Sequence, residues 1–88
     1  MKIVRVIGTA TATLKEAGLS GQKFLVVQPV APDGKPAAET ACVAVDGVGA
    51  GRGDLCLMVT GSAARVVRGA AGLPVDAALI AVIDEISV

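Results

Sequence analysis

The stretch whose spacing most suggests chemistry is Gly47-Val-Gly-Ala-Gly-Arg-Gly-Asp54, with a glycine at every second position ahead of an acidic residue. Glycines at relative positions 1, 3 and 6, followed by a helix, cradle a dinucleotide because only glycine lets the backbone approach the pyrophosphate closely. From Gly47 the sixth position is Arg52, and from Gly49 it is Asp54, so neither register fits. No Gly-Lys-Ser/Thr ends the run, which excludes a phosphate loop as well. The run is read as a tight loop in which side chains would clash. The same composition also suits a place where copies of one backbone crowd round a symmetry axis.

Nucleophiles are present but unsupported. Ser20, Ser62 and Ser87 have no histidine to serve as base, because the chain contains none. Cys42 and Cys56 lack the same partner, match no zinc-site spacing, and are expected to be reduced and buried as small hydrophobes. Asp84 and Glu85 are adjacent in an expected strand, so they point to opposite faces and do not converge on a substrate. Arg52-Gly-Asp54 spells a cell-adhesion tripeptide, which in a chain without an export signal is a coincidence. Catalytic, cofactor and metal sites are all expected to be absent, and the protein is expected not to be an enzyme.

Four charged residues stand out for assembly instead. Arg65 and Arg68 are three apart on a short expected helix and share a face. That face is either simply solvated or pairs with Asp or Glu of a neighbouring subunit. Asp54, after a glycine turn, is expected to cap backbone amides. Asp76 either does the same or meets an arginine of a neighbour.

The elements that must carry these residues are strands. Val- and Ile-rich runs fall at residues 2–11, 23–30, 39–46, 54–60 and 77–88. In the first, Ile3, Arg5 and Ile7 share one face, with Val4, Val6 and Gly8 on the other. Pro29 marks an edge or strand end, and Ala31-Pro-Asp-Gly34 joins the second and third strands as a hairpin. Residues 61–68 form a short helix, with Ser62 as N-cap and Gly69 as its stop. The expected fold is all-β: a single domain over residues 1–88, a small five-stranded OB-like barrel with one short helix. Closure removes edge strands that so apolar a chain could not leave exposed.

Composition supports association. Hydrophobic residues are 53% of the 88, and with the 11 glycines they approach two-thirds of the chain, where soluble domains average about 45–50%. A chain this short buries only about 60% of its unfolded surface, so part of the apolar excess is expected to cover a contact with another protein. Net charge is zero and Phe24 is the sole aromatic residue, which argues against nucleic acid and membrane surfaces as partners. No apolar run is long enough to span a bilayer, Arg5 interrupts any signal-peptide core, and a cytoplasmic location is expected. An OB-like module binding nucleic acid or another ligand is the alternative function, disfavoured by that same lack of aromatic and basic side chains.

Read in order, Ala12-Thr-Leu-Lys15, Leu19-Ser-Gly-Gln-Lys23, Val43 through Asp54, Gly61-Ser-Ala-Ala-Arg65 and Pro74-Val-Asp-Ala77 resemble the vertex proteins of bacterial microcompartment shells. The resemblance runs through almost the whole chain. It implies a cyclic homopentamer that caps the corners of a carboxysome-like or metabolosome shell, beside hexagonal shell proteins and without cofactors. It further implies a narrow axial pore, with Gly49, Ala50 and Gly51 expected nearest to it; Arg65, Arg68, Asp76 and Asp54, singled out above, are the residues expected at a subunit or tile interface.

Overall fold

Alternation of burial along the strands sets which residues face inward. In a computed structural model, which describes residues 1–13, 15, 17–19, 21–66 and 75–88, β1 (Lys2–Ala10) turns Val4 and Val6 fully inward and leaves Ile3 and Arg5 half-exposed. Ile7 continues that alternation and is exposed, and the register with β2 shifts between Val6 and Gly8, a bulge in β1. β2 (Phe24–Pro29) buries Leu25, Val27 and Pro29, and β4 (Leu55–Thr60) buries Cys56 and Met58. β3 (Cys42–Asp46) and β5 (Ala77–Val82) complete a closed barrel in the order β1-β2-β3-β5-β4.

Four of the pairings are antiparallel, whereas β3 and β5 run parallel, with Val45 opposite Ala78 and Asp46 opposite Leu79. The parallel pair closes the barrel, and β4 lies between its two strands in the sequence. The interior is narrow and filled by small side chains: Val4, Val6, Leu25, Val27, Ala44, Ala50, Cys56, Met58, Ala77 and Leu79 form one cluster. Burying each of its larger members contributes on the order of 1.5–3 kcal/mol.

The β2–β3 hairpin is present, but its turn reaches further than expected. Gly34, at φ +85°, donates its amide to the Ala31 carbonyl at 2.8 Å, and Asp33 Oδ1 accepts from the Lys35 amide at 2.9 Å. After a lone bridge between Val30 and Pro36, residues 37–41 leave the ladder. The amide of Gln28 draws them aside, donating to the Glu39 carbonyl at 2.9 Å and the Ala37 carbonyl at 3.4 Å, while Lys2 pairs with Glu39. The third strand therefore starts at Cys42 rather than at residue 39.

The last strand is also shorter than expected. The Ile83 amide makes a final bond to the Leu55 carbonyl at 2.7 Å, and residues 83–88 lie outside the ladder. Asp84 and Glu85 are thus exposed residues beyond the sheet, not opposite faces of a strand.

The expected helix is a 3₁₀ helix, Gly61–Val66, preceded by a shorter 3₁₀ turn at Ala17–Leu19. Gly61, at φ +65°, starts the later one by donating its amide to the Asp76 carbonyl at 2.7 Å, and no described first-turn amide bonds to the Ser62 hydroxyl. Ala64 anchors the helix against Val59, Ala78 and Ile80. The expected positions of Arg68 and of Gly69 as a helix stop lie outside the described residues.

Candidate assembly site

The glycine run leaves β3 through Asp46, and that residue organises the loop beyond the strand. Its amide donates to the Lys23 carbonyl at 2.9 Å. Its Oδ1 accepts from the amides of Val48 and Gly49, each at 3.0 Å, and of Ala50 at 3.2 Å. Oδ2 lies 3.3 Å from Lys23 Nζ, and the same ammonium group donates to the Ala50 carbonyl at 2.9 Å. The carboxylate side chain is only 2% exposed. Burial pushes its pKa up, but the bonds from the three amides and from Lys23 outweigh that and hold it below the ordinary carboxylate value. Gly49, at φ +79°, supplies the left-handed conformation that lets three successive amides converge on one oxygen.

The second half of the loop is tied to β1. Asp54 Oδ2 accepts from the Gly51 amide at 2.8 Å, and the Asp54 amide returns to the Gly51 carbonyl at 3.0 Å. Gly53, at φ +93°, donates to the Val6 carbonyl at 2.8 Å, while Arg5 Nη1 donates to the Gly53 carbonyl at 2.9 Å. Two carboxylates and two cations therefore fix the loop, and the amides of residues 48–51 are all engaged within it. It offers no amide cradle to an anion.

Of the three residues expected nearest an axial opening, Gly49 and Gly51 are exposed, but Ala50 is 1% exposed and belongs to the core cluster. Its methyl group packs with the core, so an opening would be bordered by the two glycines and by backbone. Arg65 is exposed on the 3₁₀ helix and Asp76 is exposed just before β5, whereas Arg68 lies outside the described residues. Asp54 is half-buried, with one carboxylate oxygen bonded to the Gly51 amide. Lys23, Asp46 and Arg5 escaped the sequence reading. An Asp two, three and four residues ahead of amides in a glycine-rich run is the signal that would have exposed Asp46.

Both cysteines are free, with Cys56 buried and Cys42 packed half-buried against the core. Burial, with the Asp54 and Asp46 carboxylates nearby, pushes the Cys56 thiol up. Among the described residues no three His, Cys, Asp or Glu side chains gather into a metal-binding group.

The outer face of the barrel is unusually apolar for an antiparallel sheet. On one flank, Ile3 faces Leu57 and Arg5 faces Leu55 across β1 and β4, all half-exposed. On another, a groove of about 220 Å³ runs over β2, β3 and the start of β5, lined by Leu19, Phe24, Val43, Val75 and Asp76. Val43 there is 48% exposed. A closed barrel with apolar outer flanks has surface suited to packing against other chains.

Comparison with known proteins agrees. Residues 1–84 match the family described as ethanolamine utilisation protein EutN/carboxysome. The carboxysome shell vertex protein CcmL of Thermosynechococcus vestitus is 47% identical over 87 residues, covering 99% of this chain and 87% of the relative. The structure of Gloeobacter violaceus CcmL superposes with a TM-score of 0.92 at 45% identity, covering 100% of this chain and 90% of that one. GrpN, a pentameric microcompartment shell protein from Rhodospirillum rubrum, gives a TM-score of 0.90 at 35% identity and covers 100% and 99%. This chain belongs to the EutN/CcmL family of bacterial microcompartment shell vertex proteins, and its role is structural, in the shell, not enzymatic.

Proposed function

We propose that residues 1–88 act as one unit, five copies of which close into a ring that caps a corner of the shell beside hexagonal shell proteins. The observation that carries this reading is the end-to-end likeness to a pentameric shell protein, GrpN, with 99% of that chain covered. Topology supplies the reason for the shape: a flat hexagonal sheet closes into a polyhedron only where five-fold points interrupt it. A ring requires a head-to-tail interface between two different patches of each copy. The apolar flanks supply contact area, with apolar burial contributing roughly 25 cal/mol per Å² before the costs of association. Arg65 and Asp76, both exposed, together with Arg68 and Asp54, are the charged groups assigned to contacts between subunits or tiles. Gly49 and Gly51, with the backbone of Ala50, are assigned to the neighbourhood of the axial opening. Native mass spectrometry of the purified protein tests the ring. A dominant five-copy species is expected, and a chain that stays single at micromolar concentration overturns it.

A further inference from the structure

The ring reading leaves open which surfaces meet, and the distribution of apolar and unpaired charged groups answers that. The flank formed by β1 and β4 presents Ile3, Leu55 and Leu57 half-exposed, in the positions where a solvated barrel would carry polar side chains. Arg5 stands among them. One of its N–H groups bonds the Gly53 carbonyl, and among the described residues no carboxylate pairs with it. The other flank is the groove over β2, β3 and the start of β5, floored by Phe24 and Val43, with Asp76 exposed at its rim. No described cation reaches the Asp76 carboxylate.

The remaining carboxylates narrow the choice of partner for Arg5. Asp33, Asp46 and Asp54 accept from their own loop amides, and Glu39 pairs with Lys2. Asp84 and Glu85 follow Ile83, whose amide bonds Leu55, so they belong to the flank that already carries Arg5. Asp76 is thus the described carboxylate that is both unengaged and placed on the groove.

On the basis of the proposed ring, we propose that each seam packs the β1/β4 flank of one copy into the β2/β3/β5 groove of the next, with Arg5 of the first opposite Asp76 of the second. The two surfaces lie on different strands of the same barrel, as head-to-tail closure demands. Each is apolar; the strand face of the first presents Arg5 and the groove of the second presents Asp76, charges of opposite sign with no ion-pair partner among the described residues, while Asp84 and Glu85 lie beyond the end of β5. An ion pair surrounded by apolar contact sets the register of a seam and disfavours flank-on-flank or groove-on-groove pairing, in which like charges would meet.

The test compares the wild type with Arg5→Glu, Asp76→Arg and the double swap by native mass spectrometry at about 10 μM, with far-UV circular dichroism reporting the fold. Each single swap is expected to convert the five-copy species into single chains, and the double swap to restore it. Because Arg5 also bonds Gly53, Leu57→Lys provides an independent probe of the same flank, expected to dissociate the ring with the β spectrum unchanged. A five-copy mass retained in Asp76→Arg or in Leu57→Lys overturns the seam and leaves the ring standing. Folded single swaps that dissociate, with a folded double swap that stays dissociated, overturn the pairing. A wild type that weighs one chain overturns the ring itself, a different result from either.

Discussion

Lys23 Nζ lies 3.3 Å from Asp46 Oδ2, and the two residues hold opposite sides of one loop. The ammonium group sits at the start of β2 and is about half-exposed, while the carboxylate at the end of β3 is almost wholly covered. Lys23 also reaches the carbonyl of Ala50, whose amide Asp46 accepts, so the pair grips the same residue's backbone from both ends. An exposed ion pair alone contributes about 0–1 kcal/mol. Here its effect is to position Ala50 in the core.

Asp46→Ala is expected to destabilise the barrel by about 2–4 kcal/mol, since three amides lose a charged acceptor and Lys23 loses its partner. Urea denaturation measures this. A midpoint unchanged from wild type would show that water replaces the carboxylate at no cost.

The same carboxylate gives a pH dependence. Its pKa in the folded protein lies below the ordinary 3.8, so its contribution is complete above that value and is lost as pH falls from about 4 toward the lower folded value. Wild-type stability should drop through this window. Asp46→Asn, which keeps the shape and has no proton to gain, should show a shallower decline over the same range.

Ala50→Trp is expected to damage the barrel itself rather than merely obstruct an axial opening, because the Ala50 methyl group is inside the core cluster. Overpacking of this kind costs about 1–3 kcal/mol or more. Thermal melting by circular dichroism should register the loss before any change in assembly is considered. A wild-type melting temperature with altered oligomer mass would place the side chain outside.

Cys42 and Cys56 should differ in reactivity. Cys56 is fully buried with its thiol pushed up by that burial and by Asp54 and Asp46, whereas Cys42 is half-buried. Brief iodoacetamide treatment at pH 8 is expected to add one label, at Cys42, and a second only in denaturant. Labelling of both thiols at equal rates would contradict the packing.

Arg65→Glu should leave the barrel intact, because Arg65 is exposed and contributes no described ion pair. It is expected to weaken assembly of rings or shells. Intact five-copy rings together with normal shells would remove Arg65 from both interfaces.

Much of the architecture could be read from local pattern. Alternation sorts β1 into one face with Val4, Val6 and Gly8 and another with Ile3, Arg5 and Ile7 before any partner strand is known, and the structure turns Val4 and Val6 inward. The Pro-Asp-Gly sequence marked the hairpin turn, residues 61–68 read as a short helix, and the apolar surplus pointed to a surface left for other chains. Each of these depends on neighbours a few residues away, and an alternating strand has only one face it can bury. The strand ends were less legible. The Gln28 side chain, not any residue of the third strand, decides that the ladder starts at Cys42.

The positions of Ala50, Asp46, Lys23 and Arg5 relative to one another were set only by the tertiary structure. Nothing within the glycine run distinguishes an alanine facing a symmetry axis from one facing the core. That choice depends on a lysine 27 residues away donating to the Ala50 carbonyl and on the parallel meeting of β3 with β5 that brings Leu79 beside Asp46. Periodicity records the environment along a strand. Which strands become neighbours, and hence which charge is matched and which left for another copy, is decided by closing the barrel, a long-range condition that no short window of residues contains.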